Sequence, residues 1–189
     1  MSSPVGHSFA GYIIYVYSSR TLGVTDIKAL FLFILVSNAP DLDFIPGLLL
    51  GKPNLFHHGI SHSIAIGIIL AIFLSSLPKM YEIVNERQRF LIYSTLYCSH
   101  LFLDYISVDS RLPFGIPVFW PFSSEYFIIS YPLLPPIIHG EMTNAGIRQF
   151  FSSIFSIQNL YAIFMELAVM LPIMLTVWMF VRTRYSEVN

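Results

Sequence analysis

Charge is what this chain has least of. Asp, Glu, Lys and Arg make up 11% of its 189 residues, against roughly 25% in a soluble domain. The net charge of −1 leaves no basic face for nucleic acid. Cysteine is nearly absent. Cys98 stands alone, which excludes an intramolecular disulfide and a thiolate cluster for zinc; it reads as a small apolar residue buried on a helix. No alternating pattern is long enough for barrel strands, no stretch repeats, and no linker divides the chain. Residues 1–189 therefore read as one domain. The N-terminus lacks a basic region and a small-residue cleavage site, so it reads as retained rather than as a signal peptide.

Apolar residues take the place of the missing charge. The chain is 55% hydrophobic and 16% aromatic, with a mean hydropathy of +0.67, which places it in a membrane. Five apolar segments stand out, at 9–19, 29–39, 63–77, 90–103 and 160–181. The last is interrupted only by Glu166 and Pro172 and has the length of about 20 residues that a helix needs to span a bilayer. The others are shorter, and the first two have the length of re-entrant or buried helices. The expected fold is an all-α membrane protein, a bundle of about five apolar helices. Residues 108–140 hold six of the twelve prolines and the sequence FWPF. Proline prevents regular helix and Trp and Tyr settle at headgroup level, so this stretch reads as an interfacial cover.

Lysine and arginine collect on the cytoplasmic side of a membrane. With a cytoplasmic C-terminus and five crossings, Arg20, Lys28, Lys79, Arg87, Arg89, Arg182 and Arg184 fall inside, and only Lys52, Arg111 and Arg148 outside. The same threading brings His7, Asp41, Asp43, His57, His58, His62, His100 and Asp104 to the outer layer.

Each of these clusters has a plain explanation when taken alone. His100 and Asp104 are i, i+4 on one helix face and would pair with each other. Asp41 and Asp43 in APDLDF suit a turn. Ser61 in HHGISHS suits a helix cap. Together they hold five of the six histidines in a chain short of ionisable groups. Such groups at membrane depth are costly to keep and mark function. Imidazole with carboxylate suits zinc or a similar divalent ion, with manganese and iron as alternatives. The surplus of donors over the four that one ion needs points to two or more ions. Glu166, near the same outer end, reads equally as a partner of the site or as an acid snorkelling to the interface.

GHSFAGY, APDLDF, HHGISHS, HLFLDY and PFGIPVFWPFS, in that order, resemble the YdjM-like family of bacterial inner-membrane metal-dependent hydrolases. More remotely they are similar to the zinc-dependent phospholipase C and single-strand nuclease superfamily. The resemblance implies a helical fold and a metal cluster held by His7, Asp41, Asp43, His57, His62, His100 and Asp104. Two departures stand out. His58 occupies a position where the family commonly has arginine, a natural phosphate partner. In the remoter superfamily an N-terminal amine and a His/Glu pair complete a three-metal site; here His139 and Glu141 are spaced differently and His7 is not terminal.

The expected function is a metal-dependent hydrolase at the outer face of the inner membrane, acting on a phosphoester or other ester of a lipid-like substrate. Asp41 or Asp43 would orient the attacking water or accept its proton. Membrane lipids are the expected partners. Two other classes compete with this one: a scaffold or regulatory protein stabilised by metal, whose site would be closed, and an ion transporter. A transporter needs a polar track across the membrane, and 29–39 offers only Ser37 and Asn38, both at one end.

Overall fold

A computed structural model describes residues 1–77, 84–110, 112–138 and 147–186. His139 and Glu141 lie outside the described residues. All five apolar segments are helical: α1 (Pro4–Thr21), α2 (Ile27–Ser37), α4 (Ile64–Ser76), α5 (Glu86–Ile106) and α7 (Ile157–Ser186). Two short helices join them, α3 (Phe44–Leu49) and α6 (Ile147–Ile154). No strand forms among the described residues; there are only two isolated bridges, Ser107 to Leu134 and Ile116 to Phe127.

Local chemistry starts these helices where they start. Ser3 caps α1, accepting from the Gly6 N–H at 2.9 Å, with Pro4 in the first turn. Asp26 caps α2, and Ser63 caps α4. At α5, Asn85 and Gln88 exchange two hydrogen bonds of 2.9 Å in a capping box. Close packing needs glycine at two crossings. A side chain at Gly11 would meet Ser37 and the Phe33 carbonyl of α2, and one at Gly67 of α4 would meet the Tyr97 ring of α5. The main core gathers Phe33 and Val36 of α2, Ala71 of α4, and Tyr93 and Leu96 of α5.

The outer surface is apolar too. Phe31 is 67% exposed on α2, Ile69 61% on α4, Phe102 61% on α5 and Phe164 67% on α7. A soluble protein rarely shows such a continuous apolar exterior. Cys98, expected to be buried, points outward from α5 instead, into a groove of apolar side chains.

The expected bundle of five crossings is met only in part. Among the described residues one helix, Ile157–Thr183, is both long and apolar enough to span, or two if α2 and the Ala39–Leu49 stretch, bent by 62°, form one broken span. The reasons are physical. The 13 residues of α4 reach about 20 Å at 1.5 Å each, short of a hydrocarbon core of about 30 Å. The 21 residues of α5 are long enough but carry Arg89, His100 and Asp104 on their buried side.

The stretch after α5 is irregular as far as it is described. It folds back on the end of α5, with Val108 N–H donating to the Leu134 carbonyl at 2.9 Å and Ile129 N–H to the Tyr105 carbonyl at 3.0 Å. Buried Ile116 packs on Tyr97 and Leu101.

Candidate metal centre

Four elements deliver the polar groups to one place. His7 sits in the first turns of α1, Asp41 and Asp43 in the 3-10 turn Ala39–Asp43 after α2, His57, His58 and His62 before α4, and His100 and Asp104 in the last turns of α5. His7, His57, His58, His62, His100 and Asp104 are all buried. All seven residues expected as ligands are thus brought together, and His58 with them.

The centre is built around four donor atoms. His62 Nε2 lies 3.3 Å from His100 Nε2, 3.6 Å from Asp41 Oδ1 and 3.5 Å from Asp104 Oδ2. His100 Nε2 lies 3.6 Å from Asp41 Oδ1 and 3.1 Å from Asp104 Oδ2. An ion with four ligands at 2.0–2.1 Å in a tetrahedron sets its donors roughly 3.3 Å apart. The separation between the two rings and the four between rings and carboxylates bracket that value, as the donors of such an ion would.

The surroundings point both rings the same way. His100 Nδ1 is 2.9 Å from the Ser37 carbonyl, an acceptor only, so Nδ1 carries the hydrogen and Nε2 the lone pair. His62 Nδ1 is 3.2 Å from Asp43 Oδ2, with the same consequence. Asp43 also accepts from the Ser61 hydroxyl at 2.9 Å and faces His57 Nδ1 at 2.9 Å. Its two oxygens therefore engage the backs of the rings. Tyr97 donates its hydroxyl to the Ser61 carbonyl, tying this loop to α5.

His7 stacks on His100 with centroids 3.6 Å apart and brings Nε2 to 3.4 Å from Asp104 Oδ1. Neither ring nitrogen of His7 makes a hydrogen bond, nor does Asp104 Oδ2, although all are buried. Buried polar atoms are normally satisfied; several unsatisfied ones facing each other are what a cation binding there would resolve. Three overlapping groups have donors within 4.8 Å of one another: His7, Asp41 and His100; Asp41, His57 and His62; His58, His62 and Asp104.

Electrostatics agree. Burial disfavours a charge on His62, but the carboxylates of Asp104, Asp41 and Asp43 around the ring outweigh it and raise the pKa well above the ordinary 6.5. Such carboxylates attract a proton to the ring when no metal ion is there.

A family model described as YdjM inner membrane protein matches residues 1–184. The chain belongs to the YdjM family of inner membrane proteins. The match extends past the motif-bearing two-thirds of the chain and into α7. No curated protein and no solved structure matches the chain. The centre is thus a set of buried His and Asp groups able to hold metal within a YdjM-family membrane protein.

Glu166 is no snorkelling acid, and it reaches the centre only through the start of the chain. It is fully buried, far from snorkelling, and it holds the chain's start: its carboxylate accepts from the Ser2 hydroxyl at 2.9 Å, the Ser3 N–H at 2.6 Å and the Ser3 hydroxyl. The Ser2 N–H in turn donates to Asp104 at 3.0 Å. Asp109 was missed in the sequence. It comes from the irregular stretch to within 3.1 Å of His58, and nothing in its sequence neighbourhood, SVDS, marks it as a partner.

Proposed function

We propose that this protein is a membrane-embedded, metal-dependent hydrolase of an amphipathic phosphoester or related lipid-like ester. Asp41, His62, His100 and Asp104 hold the principal divalent ion, zinc by donor chemistry, with His7 and His57 alongside. The observation that carries the reading is the set of five donor separations between 3.1 and 3.6 Å, with both rings turned donor-inward by their hydrogen bonds.

A divalent ion held there lowers the pKa of a bound water toward 7 and polarises a phosphoryl or carbonyl oxygen. The chain's own groups do the rest. Asp41 is the outward member of the set: its side chain is 17% exposed while those of His62, His100 and Asp104 are 0–2% exposed. Substrate therefore approaches past Asp41, which is placed to orient the water or take its proton. Asp43 holds His57 and His62 in register from behind. The apolar groove of about 330 Å³ lined by Ile64, Leu101, Phe102, Tyr105, Val118 and Phe119 contains the immediate neighbours of Ser63, His100 and Asp104. It suits the acyl part of a lipid. If the five apolar segments all cross, the excess of seven basic residues over three favours a cytoplasmic C-terminus and a centre on the outer face.

One observation favours a second reading. Three of the four donors are almost sealed from solvent, as in a closed structural site. Assay of zinc-loaded protein on lipid phosphodiesters in mixed micelles separates the two. The hydrolase reading expects turnover that chelation abolishes and that Asp41→Asn lowers roughly 10²-fold or more. No turnover, with chelation lowering only the thermal midpoint, assigns the ion a structural role.

A further inference from the structure

His58 is left over from the four-donor set, yet the chain goes to some length to place it. Among the described residues it is the one non-glycine with a positive φ, at 64°. Histidine tolerates that left-handed conformation better than most residues, and here it turns the ring inward to 4% exposure. Asp109 reaches it from just beyond the end of α5, with Oδ2 3.1 Å from His58 Nδ1. Asp109 is itself held by the Gly115 N–H at 2.9 Å. A carboxylate against Nδ1 fixes the hydrogen there and leaves the lone pair on Nε2, and that atom is buried without a hydrogen bond. A donor of His58 lies within 4.8 Å of donors of His62 and Asp104.

A carboxylate-backed imidazole with its other nitrogen unsatisfied, beside a carboxylate with a buried oxygen that makes no hydrogen bond, is how a protein presents a metal ligand. We propose that His58, oriented by Asp109, ligates a second divalent ion, bridged to the first through Asp104. The inference rests on the first ion site proposed above. Asp104 is suited to bridging: Oδ2 faces His62 and His100, while Oδ1 faces His7 at 3.4 Å. Two-ion sites place their metals about 3.5–4 Å apart, which matches the reach of one carboxylate. Asp109 is a positioning residue, and its effect runs through the His58 ring.

The test is equilibrium dialysis of the full chain, stripped of metal in detergent, against zinc alone, with zinc per chain read by plasma mass spectrometry. Wild type is expected to bind two ions. His58→Asn, which suits the left-handed backbone, is expected to bind one, and Asp109→Asn to keep two with the second weakened about 10- to 100-fold. Circular dichroism confirms that each variant keeps its helices. If His58→Asn proves unstable, the Asp109→Asn affinity decides alone. A variant pair matching wild type in number and affinity, a wild type binding one ion, or a folded His58→Asn losing both ions overturns the second site. A wild type binding no zinc overturns the first site as well, so the two failures are distinct.

Discussion

At the residue scale the centre is a contest between protons and metal. In the metal-free protein the raised pKa of His62 means that the folded state binds a proton more tightly than the unfolded chain. That contributes stability fully present below about pH 6.5, the unfolded value, and lost as pH rises through the folded value. Metal binding runs the other way, because it must displace that proton. Loading should therefore release protons and weaken as pH falls below neutral, while the share of metal-free stability that His62 supplies shrinks as pH rises. Titration of zinc affinity, and of the metal-free thermal midpoint beside that of His62→Ala, between pH 5.5 and 8.5 checks both signs. An affinity independent of pH would exclude His62 as a ligand. Glu166 gives a second residue-scale prediction. Glu166→Ala leaves the Ser2 and Ser3 donors buried without their acceptor, at a cost of roughly 1–3 kcal/mol for each group left unsatisfied. The chemical-denaturation midpoint should fall while purified protein still carries metal.

The residues that gather at the centre were legible in the sequence because they are chemically unusual in an apolar chain. Histidine and aspartate do not gather at the ends of oily segments without cause. What each does was less legible. Asp41 and Asp43 are two residues apart and equivalent on paper; only the fold shows one carboxylate facing the donors of the centre and the other facing ring backs. The partnership of His58 with Asp109 depends on how the irregular stretch turns after α5, which no local pattern encodes. Glu166 is one residue in a long apolar run, and its partners are at the opposite end of the chain.

At the element scale, the hairpin of α4 and α5 sets the geometry of the centre. Gly67 permits close contact with Tyr97, and the Tyr97 hydroxyl holds the Ser61 carbonyl between His57 and His62. Gly67→Val should overpack this contact at a cost of roughly 1–3 kcal/mol and also lower zinc affinity, since it displaces the ring that anchors the ligand loop. Asn85→Ala removes the cap at the other end of α5, costs about 1 kcal/mol, and should leave zinc affinity unchanged. Thermal midpoints and zinc dissociation constants measured on the pair separate a coupled contact from a remote one. The five apolar segments announced their helices by composition. Their caps and lengths were harder to read, since α5 begins at a polar capping box well before its apolar part and α3 is a single short turn-like helix.

At the scale of the whole molecule, membership of an inner membrane family and an apolar exterior agree, while the number of crossings does not follow from helix length. Short α4 and bent α2–α3 make sense if they line a polar centre instead of each spanning the bilayer, because backbone that leaves helix at membrane depth must be covered by protein. The basic residues predict a cytoplasmic C-terminus. A reporter active only in the cytoplasm, fused after Asn189, should be active, and a periplasm-active one silent; the reverse would invert the orientation of the centre.

The account stands or falls on metal. Protein purified in detergent without added metal, analysed by plasma mass spectrometry beside His62→Ala and His100→Ala, tests it most directly. The account predicts at least one equivalent of a divalent transition metal per wild-type chain and its loss from both variants while their helices persist. A wild type that carries no metal and takes up none on titration would contradict it.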